Sequence, residues 1–268
     1  MADDEVVLAT GGVTHVVRVG PTVRRPWRPF TATIQSYLGH LHEHGFDAAP
    51  LPLGVDDRGR EVLSYVPGHV PLDPLPDDTT TDEVLVALVR LVRRLHDAAQ
   101  SWVPPSDAVF GGIPGRSASP LEPLFDRPEL VAHQDYCPGN VVFREGLPAA
   151  LIDFDLARPT TRVADLVNLL HWWAPLQHPV DRAPALAEVD VAARVRVAVD
   201  AYGLTPDQRA QVVPVAVARA RNSVHTMRAA AEADPVFRAW WESGTAEKVT
   251  RTRDWVTAQS PRLAATLA

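Results

Sequence analysis

The run His133-Gln134-Asp135-Tyr136-Cys137-Pro138-Gly139-Asn140 is followed, after two short apolar stretches, by Ile152-Asp153-Phe154-Asp155. Those stretches, 141–143 and 149–152, are linked by Glu145-Gly146 and read as adjacent antiparallel strands. Such a hairpin returns the chain to its starting point, so Asn140 and Asp153 flank its open end. Asp135 then sits on an irregular loop after a brief strand over 130–133. A carboxylate there can receive a hydroxyl's proton. Asn140 and Asp153 supply oxygen ligands of the kind magnesium prefers, with water and phosphates completing its shell. Taken singly, Asp135 and Asn140 are ordinary turn residues. The full spacing with flanking strands is what points to phosphoryl transfer from a nucleotide.

The rest of the chain limits the alternatives. With 268 residues, 46% of them apolar, there is enough chain for a full core and one large or two modest domains. Acidic residues outnumber basic ones, 33 to 26, for a net charge of −7. That argues against a nucleic-acid partner and for a neutral or cationic small molecule, although ordinary surface charge reads the same way. Cys137 is the single cysteine, which excludes an intrachain disulfide and fits a reducing compartment. Neither a signal pattern nor an apolar run of membrane-spanning length occurs, so a cytoplasmic location and no membrane partner are expected. The sequence does not fix the oligomeric state. Lys248 is the only lysine, so any phosphate-binding cation in the first half must be an arginine.

Residues 5–66 read as five short strands (5–9, 14–19, 22–25, 51–55 and 61–66) around one helix over 31–44. This makes a small α+β lobe. Pro67-Gly68 and the proline-rich run 71–78 place a lobe boundary after residue 66. Residues 81–99 form an amphipathic helix, with Val84, Leu85, Leu88, Leu91, Val92 and Leu95 on one face and Arg90, Arg93 and Arg94 opposite. From Arg162 onward the pattern is helical, over 162–175, 184–202, 206–233 and 246–258.

Several other residues bear on the site. His133 is grouped with Asp135 in the catalytic loop, where its role is to brace the loop by a hydrogen bond. Cys137 reads as a small filler. Asp155 is open between a supporting group, a substrate contact and a turn residue. Asp165 either caps the following helix or ties it to the catalytic loop. Trp172, Trp173 and Trp241 either wall an acceptor pocket or pack in the core.

The segment 133–155 resembles the catalytic core of the aminoglycoside phosphotransferase and choline kinase group, small-molecule relatives of the eukaryotic protein kinases. That group resembles H-G-D-x-x-x-x-N followed by I-D-F/W, and Gln134 stands here where Gly is common. Val16-Val17-Arg18-Val19-Gly20, Thr22-Val23-Arg24-Arg25-Pro26 and Leu63-Ser64-Tyr65-Val66-Pro67-Gly68 resemble its N-lobe and hinge. The resemblance implies a bilobal protein-kinase-like α+β fold. A nucleotide-binding lobe over 1–66, with a five-stranded antiparallel sheet and one helix, would precede a larger, mainly helical lobe over 67–268 that carries the catalytic loop and acceptor pocket. It implies ATP or GTP as co-substrate, Mg2+, and transfer of the γ-phosphoryl group to a hydroxyl of an aminoglycoside-like antibiotic or a hydroxylated metabolite. The backbone of Ser64, Tyr65 and Val66 would meet the nucleotide base.

The chain departs from the group's pattern in three places. The group's third strand carries a Lys that meets the phosphates, and here Arg24 or Arg25 must serve. Strand alternation lets only one reach them, and Arg24, two positions before Pro26, is the expected one. The glutamate that holds this Lys from the helix has no counterpart over 31–44 except Gln35 or Glu43. Gly11-Gly12 is a thin phosphate loop that also reads as a plain turn. These departures keep a second function class open, a catalytically inactive kinase-like nucleotide- or ligand-binding protein.

Overall fold

A computed structural model describes residues 5–9, 15–72, 74–115 and 121–268. Strands β1 (Glu5–Ala9), β2 (Val16–Val19), β3 (Thr22–Pro26), β4 (Pro52–Val55) and β5 (Arg60–Ser64) form one antiparallel sheet in the order β1-β2-β3-β5-β4. Helix α1 (Thr31–Glu43) turns Ile34, Tyr37, Leu38 and Leu41 into the core and stops before Gly45, whose φ of 79° is left-handed. Sheet and helix are those expected from the strand alternation and the helical stripe.

Helix α2 (Asp82–Ala99) starts where the Thr81 hydroxyl accepts a hydrogen bond from the Val84 amide at 3.2 Å, and it buries its whole apolar face. Two small ribbons follow. Strand β6 (Leu130–Ala132) pairs with β9 (Arg158–Thr160), and β7 (Val141–Arg144) pairs with β8 (Leu147–Leu151). Glu145 (φ 52°) and Gly146 (φ 79°) are the two central residues of the β7–β8 turn, and positive φ at both makes it a tight type I′ connection.

The remainder is helical: α3 (Arg162–Trp173), α4 (Val191–Tyr202), α5 (Pro206–Ala233), α6 (Pro235–Trp240) and α7 (Ala246–Leu267). Two boundaries differ from expectation. Pro184 opens only a short 3-10 turn, and α4 begins later, where the Asp190 side chain accepts from the Ala192 amide at 3.0 Å. Helix α7 runs through Pro261 instead of ending near residue 258. Leu263 and Leu267, beyond the proline, are buried, and that packing offsets the lost backbone bond.

One contiguous buried cluster joins the small sheet's helix to the helical part. Among the hydrogen bonds that span the junction, the Tyr37 hydroxyl donates to the Val131 carbonyl at 2.8 Å, and the Leu151 amide donates to the Ala48 carbonyl at 2.9 Å. The catalytic segment is thus held against the small lobe from both ends. Among the described residues no helix is long and apolar enough to cross a membrane.

Candidate active site

The loop after β6 is set by its backbone. Gln134 takes φ 65°, which turns the chain sharply and presents Asp135, half-buried, at the mouth of the hairpin. Asn140 ends a 3-10 turn (Pro138–Asn140) and points its amide back, so that Nδ2 donates to Asp135 Oδ2 at 2.9 Å and to the Asp135 carbonyl at 3.1 Å. The Asn140 carbonyl accepts from the Ile152 amide at 3.0 Å and so closes the hairpin's base. Asp153 follows with φ 62°, a left-handed conformation that Asp tolerates better than most residues. The hairpin does what its sequence pattern implied: Asp135, Asn140 and Asp153 converge. Burial pushes the Asp135 carboxyl up from its ordinary range, and the neighbouring Asp153 charge pushes the same way.

His133 is fully buried between the rings of Tyr136 and Phe154, with centroids 5.1 and 4.4 Å away. One ring nitrogen, Nε2, faces the Ile152 carbonyl at 2.9 Å; the other accepts from the Asp135 amide at 3.2 Å. A carbonyl can only accept and an amide only donate, which assigns the neutral tautomer protonated at Nε2. Both nitrogens are spent on backbone, so the imidazole braces the loop.

Asp165, in the first turn of α3, supplies the second brace. Thr161 caps that helix by accepting from the Ala164 amide, which leaves the buried Asp165 carboxylate for the loop. It accepts from the Gln134 amide (2.9 Å), from Gln134 Nε2 (2.6 Å), from His96 Nε2 (2.7 Å) and from the Tyr136 hydroxyl. Burial opposes this charge, but the donors, His96 foremost, outweigh it and hold the carboxyl below its ordinary value. Asn168 accepts from the Tyr136 amide at 3.1 Å, and Trp173 Nε1 donates to the Tyr136 carbonyl at 2.8 Å. The residues on either side of Asp135 are therefore bolted to α3 and, through His96, to α2.

Across from this loop lies an arginine, and it is Arg25, not Arg24 as expected. Strand alternation sends the two to opposite faces. Arg24 bonds Thr22 Oγ1 at 2.6 Å and lies 3.5 Å from Asp56. Arg25 is 8% exposed, and its Nη1 sits 2.7 Å from Asp155 and 3.3 Å from Asp153, while its Nε donates to Glu61. Burial opposes the Arg25 charge, but Asp155, Glu61 and Asp153 together raise its pKa further. Asp155, a residue left open by the sequence, is thus a partner of this arginine; burial pushes its carboxyl up to about 6 against the pull of Arg25. Glu61 was not singled out from sequence. The available signal was an inward-facing charge on β5 directly opposite Arg25 in the β3–β5 register. Gly111 was also missed: a β-carbon there would lie 2.0 Å from the Asp155 carbonyl oxygen, so this loop touches the site with bare backbone.

The other expected residues divide. The Ser64 and Tyr65 amides already donate to the Leu51 and Pro21 carbonyls at 2.9 and 2.8 Å, and the Tyr65 ring lies under Arg18 at 3.8 Å. Those two N–H groups are therefore not offered to a base, whereas the Val66 amide has no partner among the described residues. Gly11 and Gly12 lie outside the described residues. Trp173 belongs to the core, 1% exposed, with its indole N–H and its carbonyl both bonded. Trp172 and Trp241 are half-buried, on α3 and after α6. Burial drives the Cys137 thiol well up, with the Asp135 and Asp153 charges adding to it, and this keeps the sulfur in the unreactive thiol form.

The donor set fits a magnesium ion. With Asn140 Nδ2 committed to Asp135, the amide's oxygen is left as a ligand, and the Asp153 carboxylate is 52% exposed beside it. Among the described residues there is no cluster of three or more His, Cys, Asp or Glu side chains able to hold a metal by themselves. One carboxylate and one amide oxygen, with water and phosphates completing the shell, is the arrangement magnesium favours over an all-protein cage.

A model of the phosphotransferase enzyme family matches residues 115–202, the span that carries the catalytic loop, the hairpin and α3. The trifolitoxin immunity protein of Rhizobium leguminosarum bv. trifolii is 31% identical over 99% of this chain and 100% of its own length. Among solved structures, a choline/ethanolamine kinase family protein from Mesorhizobium loti superposes with a TM-score of 0.65 at 17% identity, covering 98% of this chain and 92% of its own. An amicoumacin kinase in complex with AMP-PNP, Ca2+ and Ami gives 0.66 at 11% identity, covering 96% and 88%. Those two likenesses agree in one fold, that of the protein-kinase-like small-molecule kinases, and the family model covers the residues at its centre. The chain belongs to the phosphotransferase enzyme family, the small-molecule kinases.

Proposed function

We propose that this chain transfers the γ-phosphoryl group of ATP or GTP to a hydroxyl of a small molecule, with Mg2+ held by Asn140 and Asp153. The observation that carries the reading is the convergence of Asp135, Asn140 and Asp153 at the open end of one hairpin, with Arg25 facing them. In this reading Asp135 orients the acceptor hydroxyl and takes its proton, and the burial that raises its carboxyl makes it a stronger base than a free one. The Arg25 guanidinium meets the phosphates, and the Val66 amide meets the base. Residues 1–66 form the nucleotide lobe, residues 67–268 hold the acceptor, and the enzyme works in the cytoplasm. Trp172 and Trp241 are the aromatic residues left to line the acceptor pocket once Trp173 is in the core.

An antimicrobial acceptor is favoured over a metabolite. The full-length relative is an immunity protein, and a kinase of the same fold was solved with Ami. The same relative motivates a second reading, in which the chain protects by holding a ligand without turning it over. Nucleotide titration with Mg2+, followed by ADP release over a panel of hydroxylated antimicrobials and metabolites, separates the two. Acceptor-dependent ADP release supports transfer. Tight nucleotide binding with no turnover on any acceptor would move the assignment to the binding protein.

A further inference from the structure

The phosphate-facing cation of a kinase must be held as well as present, and in this chain the one acidic residue of α1, Glu43, is exposed at the helix's last turn and does not pair with Arg25. Glu61 does so from the sheet. It lies directly opposite Arg25 in the antiparallel β3–β5 register, is fully buried, and accepts from Arg25 Nε. On its other side Glu61 Oε1 accepts from Gln35 Nε2 of α1 at 3.3 Å, and Gln35 Nε2 also donates to the Gly54 carbonyl at 3.0 Å. The order Gln35–Glu61–Arg25 runs from helix to sheet to site, with its one carboxylate on the strand.

The chemistry of a guanidinium makes this placement productive. A lysine has one ammonium, and a carboxylate that grips it competes with the phosphates for the same atom. Arginine has a fork with separate donors. Here Nε is clamped by Glu61, which fixes the side chain along the sheet and leaves the far end of the fork for the site. Nη1 lies against Asp153 and Asp155, and Nη2 has no partner among the described residues. We propose that Glu61 is the positioning residue for the phosphate-binding cation, gripping the inner edge of the Arg25 guanidinium so that its outer edge meets the nucleotide phosphates. The grip is internal to two paired strands. It therefore does not depend on the attitude of α1, which contributes only a neutral amide.

This inference rests on the phosphotransferase reading, and the test separates the two. Binding of the magnesium complex of AMP-PNP, and kcat and KM for ATP with the best acceptor found, are measured for the wild type, Glu61→Gln and the Gln35→Glu/Glu61→Gln double variant. The double variant moves the carboxylate one hydrogen bond along the chain of contacts, onto the helix. Glu61→Gln is expected to lower kcat/KM on the order of 100-fold, as a misplaced catalytic contact does, with the loss divided between nucleotide KM and kcat. The double variant is expected to recover at least roughly tenfold of it. A carboxylate that only balances a buried charge for the fold would lower the melting temperature of Glu61→Gln and leave the KM and kcat of its folded fraction at wild-type values, which would overturn the proposal. If Glu61→Gln does not fold, the double variant decides: nucleotide binding within a few-fold of wild type supports the positioning role, and a folded double variant that cannot bind overturns it. A wild type that binds no nucleotide at all brings down the phosphotransferase reading and this inference with it.

Discussion

Asn140 Nδ2 bonds both the side chain and the carbonyl of Asp135, at 2.9 and 3.1 Å, so the carboxylate proposed to take the proton and the amide proposed to face the metal form one rigid unit. Removing either member should have distinct effects. Asp135→Ala is expected to lower turnover about 10²- to 10⁴-fold while leaving nucleotide affinity close to wild type. Asp153→Ala, which removes the proposed charged metal ligand, should weaken magnesium-nucleotide binding as well. Single-turnover kinetics paired with nucleotide titration checks both, and near-normal turnover in Asp135→Ala would defeat the site assignment.

The two neighbouring arginines should behave as strangers. Arg24→Ala loses contacts with Thr22 and Asp56 on the face away from Asp153 and is expected to change nucleotide KM less than about twofold. Arg25→Ala strips three carboxylates of their common partner and should raise nucleotide KM at least roughly tenfold, with a loss of stability of about 3 kcal/mol. A larger effect at Arg24 than at Arg25 would reverse the assignment of faces to function.

Gln134 sits at φ 65°, where glycine is at ease, yet its side chain and amide both bond Asp165. Gln134→Gly relieves about 1–2 kcal/mol of backbone strain. It gives up a side-chain bond to a buried charge worth about 1.5–3 kcal/mol and adds the chain entropy of glycine. A net loss of about 1 kcal/mol follows, with Asp165→Asn much worse, at about 3 kcal/mol. Chemical denaturation of the two variants tests the order, and a stabilised Gln134→Gly would contradict it.

Gly111 allows no side chain, because the Asp155 carbonyl would lie 2.0 Å from a β-carbon. Gly111→Ala is therefore expected to push the Asp153–Asp155 turn, to reduce stability by about 1–3 kcal/mol, and to raise nucleotide KM. Gly139→Ala, on the catalytic loop with open space around its backbone, provides the contrasting substitution, with a smaller stability loss.

His171, on α3 against α5 and α7, contributes an acid-sensitive part of the stability, opposed in the same window by the raised carboxyl of Asp155. Burial, with the Arg219 and Lys248 charges adding to it, lowers the His171 pKa to about 3 from the ordinary 6.5. Between those values the unfolded chain binds a proton that the folded chain refuses, so this part of the stability falls as the pH drops through that window. His171→Gln should flatten the fall between pH 6.5 and 4, measured as melting temperature against pH. An unchanged slope would assign the acid sensitivity to other groups.

The convergence of Asp135, Asn140 and Asp153 and the elements that deliver it were legible because each rests on local pattern: the turn at Glu145-Gly146, the alternating strands, the stripe along α2. What the pattern could not carry was pairing. Glu61 became visible only once β3 and β5 were set side by side, since a lone Glu on a strand reads as solvent-facing until its register is known. The same holds for His96, a polar residue at the edge of an apolar helical face, whose partners Asp165 and Tyr202 lie far along the chain. Trp173 was ambiguous because an indole serves a core or a pocket equally well, and only its bonds to the Tyr136 loop decide. The extension of α7 past Pro261 needed knowledge of what Leu263 and Leu267 pack against.

The β7–β8 hairpin also separates what evolution can vary from what it cannot. Asn140 and Asp153 are joined through the hydrogen bond at its base, while Glu145 and Gly146 at its tip are exposed. Residues added or lost as matched pairs across the two strands would change the length of this ribbon and leave its root in place, and the ribbon already absorbs one unmatched residue between Pro148 and Ala150. The tip is therefore a natural point for grafting a tag or reporter without touching the chemistry.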